Sequence, residues 1–327
     1  MRLARPSVAL ITNLLTALVA CGSPPAANHP APDATAPPAP ASSSAPGTPS
    51  AMPSATARAA SPPAAGRACG ELDCRAFDTA RQAFEQVLTS APRVIAMGEA
   101  HAQKAAPGVE SATSRFAREL LPALAPRTKG IVIELLAPDR RCEQHEEQAV
   151  AERTKPVTEP QRETNQSEFV ALGFAAKKLG IRAEPLIPTC DELKTVLHAD
   201  NDVGALLELI ANITVRETFD FLDHQNPEAA LAIYGGLLHN DVTPKPGQEA
   251  WSFGPRIRDH AHGSYVELDL IVPELIRNEP PWTELPWFSH YDRTSAAGQT
   301  LLYRTAPASF VLIFPRSEAT ATPKANP

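Results

Sequence analysis

The sequence predicts an α/β fold in which a mostly parallel central sheet carries helices on both faces and a site at the carboxyl edge of the strands. Short apolar runs typical of buried strands alternate with longer segments of helical period over residues 67–315. Two of the apolar runs end in a Gly-x-x-His tetrad. About 250 residues suit one domain, although two small ones would also fit the length.

The predicted elements alternate along this domain. The pattern predicts helices over residues 76–88, 111–124, 167–179, 203–225 and 253–260, and strands over residues 93–97, 130–135, 181–187, 229–235, 264–272 and 309–314. Gly180 stands where a helix C-cap belongs. Residues 139–165 are charged and lack the H-E-x-x-H spacing of zinc proteases, so we expect a solvated helix or loop there.

The N-terminus has the pattern of an export signal. Arg2 and Arg5 precede a short apolar stretch at residues 7–20 that is too short to span a bilayer. Residues 18–21, Leu-Val-Ala-Cys, resemble the bacterial lipobox. That resemblance implies cleavage after residue 20 and lipidation of Cys21, with an ordinary cleaved signal as the alternative. Gly22 after the cysteine implies the outer membrane rather than retention at the inner one.

Residues 21–66 are expected to form a disordered tether. Twelve of the chain's 34 prolines lie in residues 22–66, whose only formal charges are Asp33 and Arg58. Such a segment buries too little apolar surface to offset its ordering entropy. We expect residues 316–327 to be a disordered tail. The net charge of −7 and the absence of a basic, aromatic-rich stripe argue against a nucleic-acid partner.

Four cysteines remain beside Cys21, and an even number in an exported protein predicts disulfides. Three pairings are possible. We favour Cys69–Cys74, which are close in sequence, and Cys142–Cys190, which both follow candidate strands at the same sheet edge. A cysteine metal site is the competing interpretation, but no C-x-x-C spacing supports it.

The two tetrads are the main functional signal. Gly98-Glu99-Ala100-His101 follows the strand at 93–97, Gly236-Leu237-Leu238-His239 follows the strand at 229–235, and Glu134 ends the strand between them. A random order of 16 Gly and 9 His in 327 residues would give roughly 0.4 such tetrads, so two tetrads are only mildly unexpected. The stronger evidence is that both tetrads follow candidate strands. We expect Gly98 to permit a tight turn at the end of its strand.

The residue types suit two kinds of chemistry. His101 and His239 with Glu134 form a two-His, one-carboxylate set that binds a divalent metal and lowers the pKa of its water. Without metal, one imidazole deprotonates water while Glu99 or Glu134 sets its tautomer. A structural role for each residue is the alternative. G-x-S-x-G and phosphate-loop motifs are absent from the sequence, which disfavours serine hydrolases and nucleotide enzymes.

The segments 94–101, 131–134 and 233–239 together resemble the superfamily that joins erythromycin esterases, ChaN-type haem-binding lipoproteins, TraB/PrgY proteins and the Tiki metalloproteases. Gly-Glu-x-His is a recurring form of the first motif there. The resemblance covers about residues 91–272 and implies that Glu99, His101, Glu134 and His239 line the site. It leaves the activity open, because members include esterases, proteases and haem binders.

Three functions therefore stand at this stage. The first is a lipid-anchored, metal-dependent hydrolase of ester or amide bonds in a small molecule or peptide. The second is a haem- or metal-binding lipoprotein without turnover, and the third is a scaffold. The aromatic residues at 282–291 would lid a pocket, bind a flat ligand such as haem, or pack on the core. Arg115 and Arg118 are candidates for anion binding or ordinary solvated helix charges.

Overall fold

The structure is a computed structural model that describes residues 66–137, 139, 141–142, 144–292 and 298–317. The predicted signal peptide, Cys21 and nearly all of the tether lie outside these ranges, as do residues 318–327 of the predicted tail. The described residues belong to one compact unit. None of the described helices has the length and apolar character needed to cross a membrane.

A single nine-stranded sheet organises the domain, in the order β1-β2-β8-β9-β7-β3-β6-β4-β5. The strands are β1 (Arg67–Ala68), β2 (Arg75–Phe77), β3 (Val94–Glu99), β4 (Thr128–Leu136), β5 (Arg182–Leu186), β6 (Ala230–Gly236), β7 (Tyr265–Ile271), β8 (Thr300–Ala306) and β9 (Ser309–Ile313). The six strands from β9 to β5 pair in parallel, and β1, β2 and β8 extend the sheet in antiparallel fashion. The predicted α/β fold is confirmed.

The α-helices fall between the strands, as the parallel pairing requires. They are α1 (Ala80–Val87), α2 (Ala112–Arg115), α3 (Leu121–Leu124), α4 (Gln144–Thr158), α5 (Asn165–Lys178), α6 (Cys190–His198), α7 (Asp202–His224) and α8 (Gly254–His260). A π-helical turn, Phe116–Leu120, joins α2 to α3. Such turns are often found at functional sites.

Helices cover both faces of the sheet. Ile95 and Met97 of β3 belong to a core that includes residues of α1, α3 and α5. Val94 and Ala96, which alternate with them, belong to a second core that includes residues of α6, α7 and α8. Because side chains of a strand alternate between faces, the two cores lie on opposite sides of the sheet.

Local signals explain where several helices begin and end. Thr79 and Ser111 accept hydrogen bonds from backbone amides in the first turns of α1 and α2. Thr189 and Glu192 form a capping box at the start of α6. Gly180, after α5, has φ +78°, which fits the C-cap predicted for it.

The sequence predicted the wrong secondary structure at one element and made no definite prediction for several others. Residues 76–77, predicted as the start of a helix, belong instead to β2, which pairs with β8. The sequence pattern did not predict β8, which begins after a gap in the described residues. It also gave no helix for α6, and only a helix or loop for the region of α4.

Two disulfides close loops in the domain. They join Cys69 to Cys74 and Cys142 to Cys190, which are the pairs that the sequence favours. The second bond ties the chain after β4 to the first residue of α6. These bonds agree with an exported protein, since disulfides persist in oxidising compartments.

Removing the longer loop's disulfide is expected to cost more stability. The Cys142–Cys190 bond spans 48 residues and Cys69–Cys74 spans 5. Loop-closure entropy then predicts losses of about 4 and about 2 kcal/mol in the free energy of unfolding for the two double Cys→Ser variants. Urea denaturation of each variant measures both values. An equal or larger loss for the short loop would contradict this account.

Candidate functional site

The first tetrad places a carboxylate and an imidazole beyond β3. Glu99 is the last residue of β3 and lies opposite Gly236 of β6 in the register. The chain then turns away from the sheet, and Gln103 Nε2 donates to the His101 carbonyl oxygen. His101 and Glu99 are both about 1% exposed. The first half of the site is therefore built on the rigid central strand of the sheet.

Glu99 is held by three side chains. Its Oε1 lies 3.0 Å from His101 Nδ1, and its Oε2 accepts hydrogen bonds of 2.8 Å from both Thr113 Oγ1 and Tyr234 OH. Burial and the charge of Glu99 raise the pKa of Tyr234 well above 10, so Tyr234 remains a donor. The carboxylate is thereby fixed with one oxygen directed at the imidazole.

An aromatic frame surrounds this pair. Phe169 of α5 makes edge contacts with the rings of both His101 and Tyr234, at 5.9 and 6.0 Å between centroids. Phe116 stacks on Tyr234 at 4.6 Å from within the π-helical turn. The frame excludes water from Glu99, which strengthens its hydrogen bonds.

Glu134 comes from β4, two strands away. The register of β4 against β5 shifts between Ile133 and Leu136, so the pairing is irregular where Glu134 lies. Such irregularities redirect side chains near functional sites. Glu134 Oε2 accepts a 2.5 Å hydrogen bond from the backbone amide of Gly236. The side chain thus lies across Gly235 of β6, in the place that a Cβ there would occupy.

His239 reaches the same place from the loop after β6. Its Nδ1 lies 2.6 Å from the Trp251 carbonyl oxygen, and its own carbonyl accepts from Phe253 N and Ser252 Oγ. These bonds fix the ring from one side and the backbone from the other. His239 is 1% exposed.

The three functional groups converge on one atom. Glu134 Oε1 lies 3.9 Å from His101 Nε2 and 3.8 Å from His239 Nε2. Neither Nε2 atom has a hydrogen-bond partner among the described residues. The structure therefore brings together His101, His239 and Glu134, with Glu99 behind His101.

The hydrogen bonds at Nδ1 decide which nitrogen carries the lone pair. A carbonyl oxygen only accepts, so His239 Nδ1 donates to Trp251 and a neutral His239 has its lone pair at Nε2. The ionised Glu99 likewise accepts from His101 Nδ1, which leaves a neutral His101 with its lone pair at Nε2. Two nitrogen lone pairs and a carboxylate oxygen then face each other in a buried space.

The pKa of His101 reflects this arrangement. Burial lowers the pKa, but the hydrogen bond to Glu99 and the negative charges of Glu134 and Glu99 raise it, and the net pKa is above the ordinary 6.5. The pair is thus a stronger base than free imidazole. The attraction between protonated His101 and the two carboxylates stabilises the folded state. This stabilisation is fully present below pH 6.5 and is lost as the pH rises through the pKa of His101 in the folded state.

The glycine of the first tetrad serves close approach. A Cβ on Gly98 would lie 2.6 Å from the Leu237 Cα and 2.6 Å from Asn240 Oδ1. Gly98 is inside β3, and its φ is not positive. The predicted tight turn at Gly98 is therefore wrong, and the missing side chain instead lets the loop with His239 cross the strand.

The donor set suits a metal, but its spacing does not. Zinc bonds of about 2.0–2.1 Å in a tetrahedron place two ligand atoms about 3.3 Å apart, which is less than the 3.8 and 3.9 Å between Glu134 Oε1 and the two nitrogens. Within the described ranges, no group of three or more His, Cys, Asp or Glu side chains is arranged to hold a metal ion. Metal binding by His101, His239 and Glu134 therefore stays a prediction.

Carboxylates also support the loop that carries His239. Asn240 Nδ2 donates to Asp269, and Val242 N donates to Glu267 Oε2. Burial raises the pKa of Glu267 to about 7 and raises that of Asp269 well above its ordinary value. These side chains hold residues 240–242 in place and do not contact the convergence point in the structure.

Several residues of the site escaped the sequence analysis. Thr113 and Tyr234 contact Glu99, and the Trp251 backbone orients His239. Tyr234 lies within the strand predicted over residues 229–235. A tyrosine in a strand ordinarily indicates core packing, so the sequence offers no reason to assign Tyr234 to the site.

Other candidates lie elsewhere. Arg115 donates to Pro315 O and Ser317 Oγ, and Arg118 pairs with Glu110 and Glu119. Both arginines have partners within the fold. The aromatic residues 282–291 pack around Trp287, which is 1% exposed, so they act as core.

Comparison with known proteins gives no relative for this chain: no protein family, curated protein or solved structure matches it. The resemblance to the Gly-x-x-His superfamily stays a prediction from its short motifs.

Substitution of Gly235 by alanine is expected to displace Glu134. The added Cβ would meet the Glu134 side chain, whereas a Cβ at Gly173 in α5 meets only ordinary contacts at 3.7 Å. We expect Gly235→Ala to destabilise the domain by about 1–3 kcal/mol through overpacking. Gly173→Ala, the matched control, should stabilise it by about 0.5–1 kcal/mol. Urea unfolding measures the change in the free energy of unfolding for each variant. Equal changes would show that the Glu134 side chain does not need the space beside Gly235.

Substitution of Glu99 by glutamine is expected to lower the pKa of His101. The amide oxygen still accepts from Nδ1, but the charge that raises the pKa is gone. Titration of the His101 ring protons by NMR measures the shift. The exposed Glu228→Gln is the control and should leave the titration of His101 unchanged. An unchanged His101 pKa in Glu99→Gln would contradict the proposed coupling.

Proposed function

We propose that the protein is an exported, lipid-anchored hydrolase that cleaves ester or amide bonds with a water molecule activated at His101. The observation that carries the proposal is the convergence of two unpartnered, buried imidazole nitrogens on one carboxylate oxygen, at 3.9 and 3.8 Å. Structural histidines ordinarily use both nitrogens, because a buried polar atom without a partner costs about 1–3 kcal/mol. Two such atoms facing one point indicate that a third group belongs between them.

Water suits the position chemically. Nitrogen lone pairs accept hydrogen bonds, and a water molecule bonded at about 2.8 Å to each of two acceptors fits between atoms 3.8 Å apart. Glu134 Oε1 is another acceptor at the same point, and because water has two protons it donates one to His101 Nε2 and the other to either His239 Nε2 or Glu134 Oε1. A water held by acceptors has its own lone pair directed away from them, ready to attack.

His101 is the base in this mechanism. The water gives a proton to His101 Nε2 while its oxygen bonds to the carbonyl carbon of the substrate. Glu99 stabilises the imidazolium through Nδ1, at 3.0 Å. When the tetrahedral intermediate collapses, the same proton passes from His101 to the leaving oxygen or nitrogen. General-base help of this kind contributes roughly 10²–10⁴-fold.

His239 Nε2 or Glu134 Oε1 accepts the second proton of the water and so positions it in this scheme. Neither needs to change protonation, since Trp251 fixes the His239 tautomer and Gly236 N donates to Glu134.

The buried state of the site implies that substrate binding requires an opening. His101 and His239 are about 1% exposed, and Glu134, at 5%, is the most accessible of the three. The opening belongs to the loops around them, because the strands are fixed by pairing on both sides.

A metal ion held by His101, His239 and Glu134 is the second candidate. The type of the donors favours it, since fixed tautomers leave both Nε2 atoms free to bind a cation. Closure of the three side chains by a few tenths of an ångström would be needed first.

The lipid anchor and the outer membrane location rest on residues 18–22 of the sequence. The two disulfides support export. The resemblance to the Gly-x-x-His superfamily supports hydrolysis, since that group includes esterases and proteases.

Hydrolysis of a panel of p-nitrophenyl esters and fluorogenic peptides tests the proposal. We expect turnover that survives dialysis against a chelator, and a kcat/KM lower by roughly 10²–10⁴-fold in His101→Gln. Elemental analysis of the same preparation, purified without chelator, detects a bound metal.

The control is His198→Gln, an exposed imidazole of α6, which should keep full activity. Thermal melting shows whether each variant is folded. No turnover of any substrate by the folded protein, with or without added zinc, would overturn the proposal. Turnover that disappears with the chelator would favour the second candidate.

A further inference from the structure

A cleft far along the sheet from the Gly-x-x-His site has the composition of a ligand site. It lies between the end of α1 and the antiparallel strands, with a volume of about 380 Å³. Its floor is apolar and its rim is cationic. We propose that this cleft binds an anionic amphiphile, meaning a phosphate or carboxylate head that bears an alkyl chain.

The sheet register explains how the two kinds of side chain come together. Arg75 and Phe77 alternate along β2, and Leu302 and Arg304 alternate along β8, so each pair lies on one face. Arg75 lies opposite Leu302, and Arg304 lies opposite Phe310 of β9. One face of three strands thus has a buried floor beside two guanidinium groups.

The floor provides room for an alkyl chain. Phe77, Leu302 and Val87 form its base and are nearly fully buried, so the half-buried Phe310 is the most accessible apolar side chain that lines the cleft. Apolar surface of this kind gains about 25 cal/mol for each Å² that an alkyl chain covers.

The two arginines are available for an anion. Arg304 lies over the ring of Phe310 at 5.8 Å and has no carboxylate partner among the described residues. Arg75 makes only long contacts, 3.5 Å to Asp73 and 3.4 Å to the Gly66 carbonyl, and both of its partners line the cleft. Two cations against one carboxylate leave a net positive rim.

Phosphate and carboxylate groups suit such a rim, because guanidinium groups bind both in a bidentate manner. The hydroxyl groups of Thr89 and Ser90 also line the cleft, although each already donates to a backbone carbonyl. The binding energy therefore comes mainly from the two guanidinium groups and the alkyl chain.

Calorimetric titration of the full chain carrying Cys21→Ser, which needs no detergent, tests the proposal with four probes below their micellar range. Dodecyl phosphate and dodecanoate should bind, whereas inorganic phosphate and dodecyl maltoside should bind at least about tenfold more weakly. Flotation with phosphatidylglycerol or phosphatidylcholine vesicles shows whether the ligand is free or part of a bilayer. Binding to phosphatidylglycerol vesicles alone would identify a lipid headgroup as the source.

Arg304→Gln should weaken the binding of dodecyl phosphate about tenfold or more, and Phe310→Thr should weaken it while melting shows an intact fold. Arg277→Gln removes an exposed arginine that pairs with Glu279 and is the matched control. Equal binding of dodecyl maltoside and dodecyl phosphate would indicate detergent-like adhesion and overturn the proposal. Binding that Arg304→Gln does not change, or no binding of any probe, would overturn it as well.

Discussion

The convergence of His101 and His239 on Glu134 Oε1 is the feature on which the rest of the site depends. Three separate parts of the chain deliver these groups, and each comes from one of three adjacent strands, β3, β6 and β4. Parallel pairing puts the carboxyl ends of these strands at one edge, so the meeting follows from topology. Each group is held by its own hydrogen bond, and the two Nε2 atoms face the same buried point without a hydrogen-bond partner among the described residues.

The small residues near this edge are as necessary as the functional ones. Gly98 lets the loop of the second tetrad cross β3, and Gly235 lets Glu134 lie across β6. A side chain at either position would occupy space that the loop or the carboxylate needs. Each therefore serves a group from a neighbouring strand: Gly98 makes room for the loop that carries His239, and Gly235 makes room for Glu134.

Sequence analysis could predict the six parallel strands and the positions of Glu99, His101, Glu134 and His239 at or just after strand ends, because apolar runs and motif spacing are local properties. It predicted the wrong reason for Gly98, since close approach depends on a loop about 140 residues away, which no local pattern contains. The partners of Glu99 were missed for the same reason. Thr113 lies on a helix and Tyr234 has the sequence pattern of a core residue, and no local pattern places either beside Glu99. Trp251 contacts His239 through its backbone carbonyl, which every residue type has, so the sequence cannot indicate this contact. The strands β1, at the sheet edge, and β2, beside it, carry too few residues for a recognisable period.

The electrostatics of the site link stability to chemistry. Two carboxylates are buried here, and burial of an ionised group is costly unless hydrogen bonds replace its water. Glu99 offsets this cost by accepting hydrogen bonds from Thr113, Tyr234 and His101. Glu134 accepts a hydrogen bond from the backbone amide of Gly236. The negative potential of the pair is what raises the pKa of His101 against its own burial. Neutral replacements for the two acids would lower the pKa of His101 and would also remove the stability that its raised pKa gives below pH 6.5, so basicity and stability depend on the same two carboxylates.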